Sequence, residues 1–456
     1  MNDNSELKLN NGSRIGVIGG GPAGSFFSHF LLRQARLMDM DLHVDIYESR
    51  DFLSAGPKGC NMCAGVISES LVQALSIEGI NLPTSVVQRG IDSYVMHSET
   101  ETVTIRTPSE EMRIATVHRG SGPKGIRETR WKSFDRHLLE IAIETGANLV
   151  SRRVKGISLS DGKPLICAKE GEAQVYDLLV GATGINSPSL SLFENLGIGY
   201  KRPSTRKTSI TELPLGLDAV SEKFGSSMHV FLLDLEGLDF AAFIPKGEFV
   251  TMCLIGDGVS RETVDSFLDH PSVKHLLPNA RSAAAEACHC SPNISLGDAA
   301  NPFGDRVVMI GDSGVSRLNK DGVGSAYRTA KAAAKTAIFE GISSDDFRKH
   351  YWPICRKISR DNRLGSLIFT TVNMMKGAQF SVRGSLRMCQ KEQLKQGGQR
   401  RMSMVFWDMF TGSAPYREVF MRTLHPFFFS RLAWEVAMGF RFAGDGGSMV
   451  RRELWK

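Results

Sequence analysis

Apolar positions become regular at Arg14, where RIGVIGGG runs into a cluster of glycines. PAGSFFSHFLLRQARL follows with its apolar residues at helical spacing, and LHVDIYES then alternates and is rich in β-branched residues. This pattern predicts strand, glycine turn, helix and strand in order. Residues 133–144 carry Ser133 as a cap and Phe134, Leu138, Ile141 and Ala142 on one helical side. NLVSRRVKGISL then meets the turn pair Asp161-Gly162, so it forms a hairpin whose return ends at YDLLVGATG. From about 190 to 295 the runs HVFLLDL, DFAAFIP and FVTMCLIG are separated by turn residues, the pattern of an antiparallel sheet. RVVMIGD at 306–312 reads as a further buried strand, and a glycine loop joins it to an alanine-rich helix, AYRTAKAAAKTAIFEG. Beyond about 346 the pattern is mainly helical, rich in aromatic and methionine residues and without a repeat.

Composition adds limits. With 456 residues, 42% hydrophobic and 23% charged, the chain has material for a large core in two or three lobes. The opening MNDNSELKLNNGSR is polar and lacks the apolar stretch of a secretory signal, so a loose tail over 1–13 and a cytoplasmic location are expected. No run reaches the roughly 18 apolar residues of a membrane span. Eight cysteines in so long a chain do not make a disulfide framework. The formal charge of +6 is modest but concentrated in 381–401, a run expected to meet an acidic surface. No nucleic-acid partner is expected.

The chemistry begins at Gly19-x-Gly21-Pro22-Ala23-Gly24, between the first strand and the first helix. There the first glycine allows a tight turn, the second lets a diphosphate approach, and the third permits close helix packing. Helix-end amides then face the phosphates. Glu48 closes the next strand, where a carboxylate accepts hydrogen bonds from ribose hydroxyls. Such a unit holds NAD or FAD equally well.

Two later segments bear on that choice. Asp177 to Gly184 (DLLVGATG) and Arg306 to Asp312 (RVVMIGD) resemble the second and third fingerprints of the flavoprotein family that includes aromatic hydroxylases and geranylgeranyl reductases. The resemblance implies FAD as cofactor. Gly184 would belong to the cofactor site, Gly311 and Asp312 would contact the ribityl chain, and Gly322, Val323 and Gly324 would approach the isoalloxazine. It also implies a diphosphate role for Arg130, in RWKSFD, and an adenine contact at Val154. Thr183 departs from the aspartate that hydroxylases carry. The implied architecture is α/β: a Rossmann-like FAD-binding domain from 14–65, 115–189 and 296–345, an antiparallel-sheet substrate domain from 66–114 and 190–295, and a helical C-terminal region, 346–456.

Gly56 to Ser68 (GPKGCNMCAGVIS) resembles the Lys-x-Cys-Gly-Gly segment of geranylgeranyl reductases, with Cys63-Ala64-Gly65 the better match and Cys60 an additional thiol. The expected activity is reduction of carbon-carbon double bonds in an isoprenoid or lipid-like substrate, with Cys63, and secondarily Cys60, near the proton path. Other readings stand beside this one. The two cysteines pack a turn, exchange electrons as a dithiol, or join Cys288, Cys290 and His289 around zinc or an iron-sulfur cluster. A flavin monooxygenase and a quinone-linked electron-transfer flavoprotein share the fold. With no second glycine fingerprint for nicotinamide, the reductant is either transient NAD(P)H or a small electron carrier, so a redox donor protein is an expected partner.

At the C-terminal end, Phe429, Leu432, Ala433, Val436 and Phe440 fall on one helical side, with Arg431, Glu435 and Arg441 elsewhere. Met402, Met404, Phe406, Trp407, Met409 and Phe410 form another apolar group. Packing over the substrate lobe is the favoured reading. A peripheral membrane contact that admits a lipid tail is the alternative.

Overall fold

The computed structural model describes residues 7–443 other than 57–58, 61–62, 100, 109–113, 125, 127–128 and 395–399, with side chains as far as 438. Lys58, Phe440 and Arg441 therefore lie outside the described side chains.

A six-stranded sheet is ordered Phe303–Gly304, Val307–Met309, Leu178–Gly181, Ser13–Ile18, Leu42–Tyr47 and Asn148–Val150. Its neighbours run parallel except at the Phe303–Gly304 edge. Central parallel strands are covered on both faces and read as continuous apolar runs. Accordingly Ile15, Val17, Leu178, Leu179 and Val180 are fully buried. One face is covered by the helices Pro22–Leu37 and Gly322–Phe339, with Phe134–Glu144 beside the first. Ala330, Ala333 and Ala334 keep the second helix close, while Tyr327 sets its edge against Phe26 and Phe30 at 5.6 and 5.5 Å. The opposite face takes the hairpin Val154–Ser160 and Lys163–Ala168 over Tyr176 and Phe193.

The tail differs from its composition. Leu9 is buried, the Leu7 carbonyl accepts the Ile342 N–H at 2.8 Å, and the Gly12 N–H donates to the Asp41 carbonyl at 2.8 Å. Residues 7–12 are thus docked, by partners remote in sequence that local polarity does not reveal.

The second lobe is a seven-stranded sheet ordered Cys288–Cys290, Ser209–Pro214, Phe249–Ile255, Phe240–Lys246, Ser227–Phe231, Ser93–His97 and Thr102–Arg106. Its pairs are antiparallel except Ser227–Phe231 with Ser93–His97. Alternation sends Val250, Met252 and Leu254 to a core with Phe243 and Phe267, and Cys253 and Ile255 to the other side. A small sheet of Val66–Ile67, Ile114–Val117 and Val87–Ile91 bridges the lobes, so the expected 114/115 junction falls inside a strand.

The helices Gln379–Leu394 and Arg401–Thr411 pack on the Cys253 side of the larger sheet, burying Leu386, Met402, Phe406, Trp407 and Met409. Within 381–401, Arg383 and Arg387 approach Glu101 at 3.6 and 3.4 Å, and Lys391 pairs with Glu435 at 2.7 Å. Much of that basic run is consumed inside the fold. The Pro426–Ala443 helix is rotated from its expected orientation, with Glu435 turned inward to Lys391. Glu435 is buried and Leu432 and Val436 are partly buried, whereas Phe429 is 53% exposed and Ala433 is exposed. With Phe427 at 75% and Trp434 at 62%, the outward side of this helix is apolar.

Candidate active site

The first strand enters its helix through a turn that only glycine fits. Gly19 has φ +112°, and a Cβ there would lie 2.4 Å from the Ala182 carbonyl oxygen. A Cβ on Gly24 would lie 1.9 Å from the Gly19 carbonyl oxygen. Gly21 is the N-cap with no side-chain cap, and Pro22 occupies the first turn. The helix amides are therefore left to an outside acceptor. Glu48 braces the turn from behind: its carboxylate accepts the Gly20 N–H at 3.1 Å and the Arg50 N–H at 2.9 Å.

Gly21, Pro22 and Ala23 open onto a cavity of about 300 Å³ between the two lobes. Thr183, Gly184, Asp312, Gly322 and Val323 share the same wall. The other wall is apolar, with Ile210, Met228, Val230, Phe240, Ala242 and Ile255. Gly311 and Gly324 stand behind. The Gly311 N–H donates to Thr329 Oγ1 at 2.9 Å, and a Cβ on Gly324 would meet Asp321 Oδ1 at 2.1 Å. Among the described residues Asp312 Oδ1 is buried with no hydrogen-bond partner. A buried acceptor left open beside a glycine cradle fits a ligand that brings a hydroxyl donor.

Arg130 and Val154 fall elsewhere. Arg130 is exposed on the approach to the Phe134–Glu144 helix and does not line the cavity. Val154 is buried and borders a separate depression that reaches Ser49, next to Glu48. The guanidinium groups at the cavity belong to Arg50, Arg119 and Arg317. Arg119 Nε and Nη2 each donate to a separate oxygen of Asp135 at 2.8 Å. Burial opposes both charges and pushes the Asp135 carboxyl up, while Asp135, then Cys63, hold the proton on Arg119. The bidentate geometry is that of an ionised pair. Nothing in the local sequence marks Arg119, although it stands two residues past the end of the Ile114–Val117 strand, as a strand-end site residue would.

Cys63 lines the cavity, and its Sγ accepts the Gly65 N–H at 3.3 Å with Arg119 beside it. Gly65 is fixed in turn, because its carbonyl accepts the Val117 N–H at 2.8 Å. Cys60 sits a turn away, its N–H donating to the Gly56 carbonyl at 2.9 Å, and is not in the cavity wall. Cys290 lies opposite Ile210, which lies opposite Cys253, so both thiols share one side of the sheet under the Cys63 segment. Burial, then Cys63, pushes the Cys253 thiol up to about 12 against the opposing Lys246; burial, then Cys60 and Cys288, does the same for Cys290. These thiols are held neutral. His289 points away and bonds Thr211 Oγ1 at 3.0 Å. No group of three or more metal-ligating side chains assembles among the described residues.

The C-terminal helices close the cavity. Arg317 donates to the carbonyls of Gly412, at 2.7 Å, and Ala414. Lys320 donates to those of Asp408, at 2.7 Å, and Met409, and burial pushes its ammonium well below the usual lysine value. Both cations lie over the Tyr416 ring, whose hydroxyl donates to the Leu318 carbonyl at 2.6 Å.

No protein-family profile and no curated protein matches the sequence. The fold does have solved counterparts. A geranylgeranyl bacteriochlorophyll reductase-like protein of Thermoplasma acidophilum superposes with TM-score 0.63 at 14% identity, over 91% of this chain and 99% of that one. A flavoprotein/dehydrogenase of Cytophaga hutchinsonii gives 0.58 at 14% identity, over 94% and 100%. The tetrameric 2-methyl-3-hydroxypyridine-5-carboxylic acid oxygenase gives 0.56 at 14% identity, over 81% and 92%. At this identity the likeness establishes the fold.

Proposed function

We propose that the protein is an FAD-dependent oxidoreductase that reduces carbon-carbon double bonds of an isoprenoid or other lipid-like substrate. The observation that carries this reading is one cavity with two chemistries: a glycine cradle with the open Asp312 Oδ1 on one wall, an aliphatic and aromatic surface on the other. The fold likeness to a flavoprotein/dehydrogenase and a reductase-like protein supports it. Gly19 to Gly24 would hold the diphosphate, Asp312 the ribityl chain, and Gly322 to Gly324 would border the ring system. Bound and reduced, FAD supplies a hydride.

An isolated alkene also needs a proton on its second carbon, because it stabilises little carbanionic charge. The apolar wall takes the alkene and excludes water. Cys63 Sγ accepts from Gly65, which leaves its S–H free to face the cavity, and the neighbouring Arg119 stabilises the sulfur once the proton has left. An approach from a lipid surface is supported by exposed Phe427, Phe429 and Trp434, although no helix among the described residues is long and apolar enough to cross a membrane.

The test is anaerobic incubation of flavin-loaded protein and a chemical reductant with geranylgeranyl lipids, followed by mass analysis. One hydrogen molecule added per reduced bond is the expected product. Oxygen-dependent addition of an oxygen atom would instead establish the monooxygenase reading, which the likeness to an oxygenase keeps in view. Cys63→Ala should lower turnover by roughly 10²-fold or more with flavin content intact; an unchanged rate removes Cys63 from the proton path.

A further inference from the structure

The Gly322–Phe339 helix, whose first turn borders the cavity, also floors a groove of about 1550 Å³ on its outer side. Trp352–Lys376 forms the opposite wall, and Tyr416–Thr423 with His425 closes one end. Ten arginines and lysines line this groove against three carboxylates, Glu340, Asp361 and Glu418; Asp321, Glu78 and Asp408 pair with Arg328, Lys331 and Arg422 from its margin, which leaves an excess of four positive charges. Lys335, Arg356, Lys357, Arg360 and Arg417 are exposed and make no ion pair among the described residues. Like charges stand four apart at Lys331 and Lys335, and at Arg356 and Arg360, a spacing that weakens the helices carrying them. Packing alone does not favour this arrangement, and an anionic ligand would relieve its repulsion.

Size and shape narrow the ligand. The groove exceeds the roughly 300–1,000 Å³ of small-molecule sites. Its deepest cation, Arg317, is nearly buried, where a flat bilayer does not reach. Its lining ring Tyr327 is held edge-on by Phe26 and Phe30 and offers no stacking platform for a nucleic-acid base. A convex acidic protein surface fits. Position narrows it further, because Arg317 lines both groove and cavity. Asp321, in the cavity wall, lies 3.6 Å from Arg317 and 3.0 Å from Arg328 of the groove. A single layer of side chains thus separates the two spaces.

We propose that this groove docks an acidic one-electron carrier protein. The identity of the partner as a carrier rests on the reductase reading above; the docking of an acidic protein does not. The stoichiometry balances: one double bond takes up two electrons and two protons, two carrier molecules each lose one electron, and solvent provides the protons.

The probe is an acidic plant-type ferredoxin in its oxidised form, titrated into full-length flavin-loaded protein by calorimetry. Binding should occur at low salt and weaken at least tenfold at several-fold higher ionic strength. A variant carrying Lys335→Glu, Arg356→Glu, Lys357→Glu and Arg360→Glu should bind at least tenfold more weakly. A second variant with glutamine at the four positions should fall between, and both should keep the wild-type melting temperature and flavin content. Three results overturn the proposal: no ferredoxin binding by the wild type, equal binding by the glutamate variant, or loss of binding only to anionic phosphatidylglycerol vesicles or single-stranded RNA. Protein that binds ferredoxin through the groove yet takes up no flavin overturns the reductase reading instead, and leaves the docking site standing.

Discussion

Arg119 presents two nitrogens to the two oxygens of Asp135, each at 2.8 Å, directly behind the thiol of Cys63. A buried pair of this kind is costly to break from one side. Asp135→Asn should destabilise the protein by about 3–5 kcal/mol in urea unfolding. It should also quicken alkylation of Cys63 by iodoacetamide at fixed pH, since Arg119 is left uncompensated beside the sulfur. Arg119→Met should slow that alkylation. Equal rates in both variants would separate the pair from the thiol.

Asp312 predicts a divergence between stability and binding. Its open Oδ1 is a desolvated acceptor without a partner among the described residues. Asp312→Ala should therefore leave the flavin-stripped protein as stable as the wild type or more so, by up to roughly 1–3 kcal/mol. Flavin affinity, followed by fluorescence quenching, should fall. Loss of stability without loss of affinity would make Asp312 an ordinary strand-end carboxylate.

Gly24→Ala tests the cradle itself. The added methyl group would fall 1.9 Å from the Gly19 carbonyl oxygen, and both atoms are held by backbone. Helix and turn must separate, at a cost of about 1–3 kcal/mol, and flavin retention during gel filtration should be lost.

Acid sensitivity should come from four buried histidines, His29, His97, His118 and His229, with burial holding His118 well below the usual value. His97 and His229 share a 2.8 Å hydrogen bond, and His29 bonds Thr145 at 2.8 Å. Burial lowers His29 and His97 to about 4 and His229 to about 3. The unfolded chain, with histidine near 6.5, takes up protons first. Stability is thus complete above about pH 6.5 and declines as pH falls towards 4, by up to about 1.4 kcal/mol per pH unit for each histidine. Urea midpoints between pH 7 and 4.5 measure the slope, and a flat profile would contradict neutral burial.

The glycine turn was legible because its determinants are local. Gly19, Gly21, Gly24 and Glu48 lie within one strand-helix-strand unit, and spacing alone places them. Gly184, Asp312 and Gly322 came from short segments whose order matches known flavoproteins, and all three reach the cavity. Arg119 stayed hidden because its meaning depends on Asp135 and Cys63, which come from other elements. Arg130, nearer the helix in sequence, is exposed. The last helix shows the same limit: Glu435 looks solvent-facing until Lys391, 44 residues earlier, is seen to bury it. Residues 7–12 looked loose for want of Asp41 and Ile342.

Arg317, Lys320 and Tyr416 bind the loop after Asp312 to helices near the opposite end of the chain. Whatever steadies that loop from the cavity side must steady those helices as well, and the effect is reciprocal. Damage far from any reacting atom, in the helices at 401–423, would therefore register first as a leak of bound ligand.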